Sequence, residues 1–287
     1  MNDADKSKTV VSTEPYFLKS EECFVAYLDV LGFREILEKP EIIQNYYRSI
    51  RQATDQIDAS MKKKTVQSKM LGDAVVFYVA VGMSLNEQIL NLRNLLMVVA
   101  QVQFNLAIQN IWTRGGVTGG KMQSDDTEFI TGDALARAYD LEGLSAIYPR
   151  TVVDPKIIQH LTFEEGIEPF SCHELILKIN EQTHEDTSTS WNTDILFDWS
   201  RKCYRAGVKA TDYLDKDVPL FVDYVSPIQK KADANILADL YMHLTERTQG
   251  DVKYYNKYRW VSDYLMAHCA HVSEFSNAAA FEKLGEL

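Results

Sequence analysis

AYLDVLGFREIL (residues 26–37) puts one carboxylate, Asp29, at the end of an apolar run that reads as a buried strand, breaks at Leu31-Gly32 and turns helical. A carboxylate in such a run costs folding free energy unless it is paired or holds a cation. A second one follows in SKMLGDAVVFYVAV (residues 68–81), where two apolar runs meet at Gly72-Asp73. That is a hairpin signature, with Asp73 expected in a type I′ turn. A hairpin pairing beside the Asp29 strand brings the two carboxylates together, and they repel unless a cation lies between them. Oxygen donors of this kind suit Mg²⁺ or Mn²⁺, which complete their shells with substrate phosphates and water. Taken singly, each aspartate reads better as a structural residue, Asp29 ending a strand and Asp73 filling the turn; the pair is what points to a cation.

Working outward, Ile43, Tyr47, Ile50, Thr54 and Ile57 recur at helical spacing after Pro40. Leu85 to Asn110 contains no glycine or proline and carries Ile89, Leu92, Leu96 and Val99 in register, which predicts a long packed helix. IWTRGGVTGGKMQ (111–123) is a glycine-bearing strand, TGDALARAYDLEGL (131–144) a capped helix, and TVVD (151–154) a short strand before Pro155. GGVTGG lacks the lysine-serine/threonine ending of a phosphate loop, so its glycines predict close backbone approach within a strand. The order β, α, β-hairpin, α, β, α, β is that of an α+β sandwich with helices on one face of the sheet. EQTHEDTSTSWNTD (181–194) reads as a polar surface insertion, and YLDKDVPLFVDYV (213–225) as a strand closing the sheet. Beyond Pro227, Ile236, Leu240 and Leu244 fall in helical register, followed by the aromatic cluster Tyr254, Tyr255, Tyr258 and Trp260. The expected division is a tail over 1–21, a main domain over 22–226 and a helical extension over 227–287.

Composition bounds the function. The chain has 287 residues, 46% of them hydrophobic, enough for one large domain with an appendage. A formal charge of −11 argues against a nucleic-acid surface, whose affinity comes largely from Lys and Arg on phosphates. No apolar run has the length of a membrane helix and the N-terminus lacks the apolar core of a signal peptide, so the expectation is a cytoplasmic protein with no membrane partner. Cys23, Cys172, Cys203 and Cys269 are scattered without C-x-x-C spacing, which predicts reduced thiols rather than disulfides or a zinc site. The six histidines show no ligand spacing that converges with the aspartates.

FVAYLDVLGFREIL, SKMLGDAVVFYV and RGGVTGGKM, in this order and spacing, resemble the class III nucleotide cyclases, the adenylate and guanylate cyclase catalytic fold. The resemblance covers about residues 22–160 and extends less closely to about 226. It implies a ferredoxin-like, palm-type sandwich on a mainly antiparallel sheet, a homodimer, and two Mn²⁺ or Mg²⁺ ions per site. Residue by residue, it makes Asp29 and Asp73 metal ligands with the Val30 carbonyl. It also makes Leu31, Gly32, Phe33, Gly72 and Lys121 substrate-binding, Lys121 standing where a phosphate-binding arginine is usual. Lys69, four before Asp73, takes the base-reading place, but its usual acidic partner is Phe129 here. The transition-state asparagine and arginine fall at Ala136 and Asp140; Arg137, one place off, is the candidate catalytic cation, with Arg114 and Arg150 as possible substitutes. The reaction implied turns a nucleoside triphosphate into a 3′,5′-cyclic nucleotide and pyrophosphate.

At a finer level, GDALARAYDLE, YPRTVVD and the absence of an attached sensor domain resemble the pyrimidine cyclases of the bacterial antiphage system called Pycsar, whose cyclic UMP or cyclic CMP switches on a cell-killing effector. The alternatives are a catalytically inactive cyclase-fold module that binds a nucleotide or partner, and an ATP or GTP cyclase with rearranged transition-state residues.

Overall fold

The computed structural model describes residues 19–61, 66–124, 129–161, 170–181, 194–200, 209–225, 233–250, 252–270 and 272–287. Nearly all of the expected tail and polar insertion, together with Cys203, His184 and His271, lies outside these residues, as do the side chains of Thr54 and Ile57.

The sheet is built around β1 (Lys19–Val30). β3 (Ala74–Ala80) pairs antiparallel with one edge of β1 and β4 (Thr113–Ser124) with the other, while β2 (Gln67–Leu71) extends the β3 side. β5 (Ile130–Thr131) adds an antiparallel pair at the far end of β4, and β6 (Thr151–Val153) runs parallel to β4. The order β2-β3-β1-β4-β5 makes a mainly antiparallel sheet, and with its helices the chain is an α+β protein.

Period-two alternation in β1 divides the core. Phe24, Ala26, Leu28 and Val30 face one layer with α2 (Pro40–Met61) and α3 (Leu85–Ala107), whereas Cys23, Val25 and Tyr27 face Ala134, Leu135 and Ala138 of α4 (Asp133–Leu144). Helices therefore cover both faces, where the sequence reading expected one. α4 is short and only weakly apolar, so its packing on the second face is not visible in its own pattern.

α3 begins with a capping box in which the Glu87 N–H donates to Ser84 Oγ at 3.3 Å and the Ser84 N–H to Glu87 Oε2 at 3.1 Å. The buried face of α2 is Tyr46, Ile50 and Ala53; Tyr47, expected inside, is 42% exposed and Tyr46 1%. Both tyrosines fit a helical stripe through Ile50, and the sheet selects the one whose hydroxyl finds a partner.

The hairpin turn has a positive φ at Gly72 (68°) and not at Asp73, the pattern of a type II′ turn rather than the expected type I′. The closing strand is also corrected: in the 213–225 stretch, Phe221 and Val222 make single bridges to Val152 and Leu196 and no strand forms. The glycines of β4 do permit close approach. A β-carbon on Gly116 would sit 2.5 Å from Leu141 Cβ, inside α4.

The C-terminal helices α6 (Ala234–Gly250) and α7 (Val252–Cys269), after α5 (Cys172–Glu181), share one continuous apolar core with β1 and α3. Leu237, Leu240 and Leu244 are the buried residues of α6, and Ile236 sits at the margin. The expected aromatic cluster packs within the chain: Trp112 meets Tyr258 edge-on at 6.0 Å and Tyr148 stacks on Trp260 at 5.4 Å. Tyr264 donates to the buried Asp223 carboxylate at 2.7 Å, and His268 Nε2 lies 2.8 Å from the same oxygen. Two short helices, α8 (Ser273–Ser276) and α9 (Ala279–Leu284), close the chain.

Candidate functional site

The antiparallel register sets Asp29 opposite Ala74 on one side and Arg114 on the other. Asp73 immediately precedes Ala74, so the two aspartates stand at neighbouring strand ends, as the sequence led us to expect. Burial and the nearby negative charge of Asp73 push the Asp29 carboxyl above its ordinary range, against the opposing pull of Arg114.

Several contacts fix this corner. Tyr46, from α2, donates its hydroxyl to the backbone carbonyl of Asp73 at 3.0 Å. Burial holds that phenol far above its usual range, so it remains a donor. Arg114 Nη2 is 4.0 Å from Asp29 Oδ2, and its Nε forms a close ion pair with Glu142 on α4. Burial raises the Glu142 carboxyl while Arg114 opposes the rise. Tyr27, two residues before Asp29 on the same face, stacks edge-on against Tyr139 of α4 at 5.4 Å.

Other candidates stand close to this corner. Lys69 opposes Val76, which opposes Tyr27, so Lys69 shares the Asp29 face of the sheet one strand out from β3. Gly72 forms the turn beside Asp73. Leu31, Gly32 and Phe33 follow the Asp29-Val30 end of β1, but the Leu31 N–H donates to the Trp112 carbonyl at 2.8 Å and is therefore committed to the fold. Gly32 (φ 73°) caps α1 (Phe33–Leu37), whose single turn supplies little dipole for an anion. The N–H groups of Phe33 and Arg34 precede its first backbone bond, from Glu35 to the Gly32 carbonyl.

Two expected residues lie elsewhere in the chain. Lys121 opposes Glu22, seven positions along β1 from Asp29, roughly 23 Å at strand rise. It borders a cavity of about 960 Å³ that is also lined by Glu21, Glu87, Asp133 and His160. Arg137, expected as a catalytic cation, gives its Nη2 to Asp154 and to Thr118 Oγ1, both at 3.1 Å. Arg150 is 1% exposed, bidentate to Asp217 at 2.7 Å and flanked by the Tyr148 and Trp260 rings, each centred 5.1 Å away; it is a core residue. Ala136 and Asp140 lie on the exposed side of α4.

The cation beside the carboxylates is thus Arg114, named only as a substitute in the sequence reading, and its partner Glu142 was missed. The available signal was the arginine just before Gly115-Gly116 at the start of the glycine-bearing strand; the β1–β4 register is what sets it level with the end of β1.

Among the described residues no group of three or more His, Cys, Asp and Glu side chains could cage a metal. Asp29 and Asp73 fit an ion that takes its remaining ligands from phosphate and water, because their oxygens are hard donors and burial, together with the neighbouring Asp73 charge, disfavours the ionised form of Asp29. No described helix is long and apolar enough to cross a membrane.

No protein-family model matches the chain and no curated protein matches it in sequence. Solved structures with a similar arrangement include the adenylyl cyclase CyaB from P. aeruginosa, 15% identical, covering 50% of this chain and 81% of that one with a TM-score of 0.38. The catalytic core of a rhodopsin-guanylyl cyclase with converted specificity, in complex with ATPalphaS, is 15% identical over 50% of this chain and 83% of that one (TM-score 0.39). The guanylyl cyclase Cya2 is 10% identical over 53% and 89% (TM-score 0.35).

Proposed function

We propose that the protein is a nucleotide cyclase that converts UTP or CTP to the 3′,5′-cyclic nucleotide and pyrophosphate in bacterial antiphage defence, acting as a homodimer and signalling through an effector that the product activates. The observation that carries the reading is the meeting of Asp29 and Asp73 at neighbouring strand ends with Arg114 beside them. The motif order around those residues supports the same activity.

In the reaction the ribose 3′-oxygen loses its proton and bonds to the α-phosphorus as the bond to pyrophosphate breaks. Asp29 and Asp73 would hold two divalent ions, Mn²⁺ or Mg²⁺, with the Val30 carbonyl; bound there, the ions supply Lewis acidity toward the attacking hydroxyl and charge neutralisation of the triphosphate. Arg114 carries a guanidinium of the kind suited to a phosphate, and its ion pair with Glu142 ties it to α4. Tyr46 fixes the backbone of Asp73. Lys69 would offer a donor to a base, and since Phe129 stands where the resemblance puts its acidic partner, the paired contacts that read adenine would not be supplied. A site that hydrogen-bonds its substrate discriminates against one that leaves those groups unpaired.

Incubation of the pure protein with each of the four nucleoside triphosphates and Mn²⁺, with products identified by mass, tests the proposal. Cyclic UMP or cyclic CMP is expected; a clear preference for ATP overturns the pyrimidine assignment. Asp29→Ala and Asp73→Ala are expected to abolish turnover with melting temperatures within a few degrees of wild type, and wild-type rates in either overturn the site.

A second reading has its own observation. Ala136 and Asp140 supply no transition-state donor pair and Arg137 is held by Asp154, which favours a nucleotide-binding regulatory module without turnover. The product analysis separates the two, since such a module binds a triphosphate and releases nothing.

A further inference from the structure

The C-terminal helices reach the turn that follows Asp29. Arg247, near the end of α6, donates from Nη1 to Glu35 Oε2 at 3.0 Å, from Nε to Asn110 Oδ1 at 3.2 Å and from Nη2 to the Asn110 carbonyl at 3.2 Å. Its guanidinium also lies 5.8 Å from the centre of the Tyr258 ring on α7. Asn110 holds a left-handed backbone (φ 60°), and its Oδ1 accepts from the Trp112 indole at 3.0 Å. Trp112 in turn accepts the Leu31 N–H through its carbonyl, at 2.8 Å. One guanidinium thus grips the Leu31–Glu35 turn at both ends, through Trp112 at the start and through Glu35 at the finish.

The charges give the grip a functional side. Glu35 lies against the turn: a β-carbon built on Gly32 would be 3.7 Å from Glu35 Oε2. A triphosphate drawn to ions at Asp29 and Asp73 would approach the turn that carries Glu35, and without Arg247 that carboxylate would repel it. The pair is partly exposed, with the Arg247 side chain at 25% and that of Glu35 at 57%, so its effect is modest and sensitive to salt.

We propose that Arg247 is a positioning residue through which the C-terminal helices hold the Leu31–Glu35 turn in place and cancel the charge of Glu35, making triphosphate affinity depend on those helices. The effect on affinity rests on the cyclase reading; the mechanical tie does not. Amide hydrogen exchange and binding of Mn²⁺–UTP, measured on the full chain, separate the two. In Arg247→Met, which keeps the aliphatic stem, exchange over residues 31–36 is expected to rise about fivefold while residues 74–80 stay unchanged, and the Kd for Mn²⁺–UTP is expected to rise about threefold to fivefold. Adding Glu35→Gln to Arg247→Met should return the Kd to within about twofold of wild type, a rescue that a merely structural role does not give. Glu35→Gln alone, at an exposed position, should raise exchange over the same turn. Unchanged exchange in a folded Arg247→Met protein, or no rescue by the double substitution, overturns the inference. Raised exchange in a protein whose wild type binds no triphosphate keeps the tie and overturns the cyclase reading instead.

Discussion

Replacing Tyr46 by phenylalanine removes one oxygen from the candidate site and almost nothing else. The ring is buried, 6.3 Å from Phe33 and 5.4 Å from Tyr47, and both contacts survive the substitution because the ring itself is retained. What is lost is the 3.0 Å bond to the Asp73 carbonyl, leaving that acceptor short of a donor. A net loss of about 1 kcal/mol is expected for such a bond. For a chain of this size that is a fall in melting temperature of about 2 °C. Activity should suffer more, because the turn bearing Asp73 is then free to shift, and a displacement of about 1 Å can cost up to about 10² in rate. We expect a drop of roughly tenfold in kcat/KM, partly recovered at high Mn²⁺, where ion binding restores the turn. Thermal melts and product formation from UTP at two Mn²⁺ concentrations provide the assay. A melting shift of the expected size with wild-type kcat/KM refutes the link between Tyr46 and Asp73, and a collapse in melting temperature refutes the claim that only one bond was lost.

Three further outcomes follow from the same geometry. Gly116→Ala forces a methyl toward Leu141, so α4 must move off the sheet; overpacking of this kind costs about 1–3 kcal/mol, and a melting temperature within about 1 °C of wild type contradicts the packing of α4 on β4. With metal chelated, the raised Asp29 carboxyl means that the folded chain keeps a proton the unfolded chain releases, so wild-type stability falls as pH rises from the ordinary carboxylate range through the raised value. Asp29→Asn removes that ionisation: the variant should melt higher than wild type at pH 7, lose that advantage near pH 4, and gain nothing from Mn²⁺; parallel pH profiles count against the assignment. Mixing an inactive Asp73→Ala chain with an inactive Lys69→Ala chain should restore activity if Lys69 serves the partner's metal site, and verified heterodimers without activity place the whole site in one chain.

The strands were legible as apolar runs, β3 being buried continuously over Ala74–Val79 because helices cover both faces of the sheet. The hairpin at Gly72 placed Asp73 at the tip of β3, and the expectation that this hairpin pairs beside β1 brought it to Asp29; the β1–β3 pairing itself is long-range. The glycines of β4 announced a close approach but not of what. Arg114 was harder, because only the β1–β4 register, a long-range pairing, sets it level with Asp29. Glu142 was invisible for a similar reason: its role comes from α4 crossing the second face, and α4 shows no strong apolar stripe. The Tyr46 and Tyr47 ambiguity is local geometry, one residue being about 100° of helix rotation, and the Asp73 carbonyl resolves it. Arg137 and Arg150 each have an aspartate partner, Asp154 and Asp217, brought near by other chain segments; for Arg150 an ion pair was the default expectation, while the partner itself could not be named from the sequence.

The distribution of charged groups along β1 bears on assembly. At one end stand Asp29, Asp73 and Arg114; at the other, Lys121, Glu22 and Asp133 line a cavity, and Phe129 leads into β5. Within a single chain these ends are too far apart for one small nucleotide to touch both, since strand rise alone separates Asp29 from Lys121 by roughly 23 Å. A two-fold copy set against the same face with its axis across the strands would reverse one sheet relative to the other, so that each end would meet its opposite and a single surface would make two identical composite sites. The exposed side chains of Leu71, Phe129 and Tyr139 are the apolar surface such a copy could cover. On that arrangement Lys121 and Phe129 would face the partner's Asp29 and the partner's Asp73, and under the proposed activity Phe129 would bear on base choice without touching the Asp29 of its own chain.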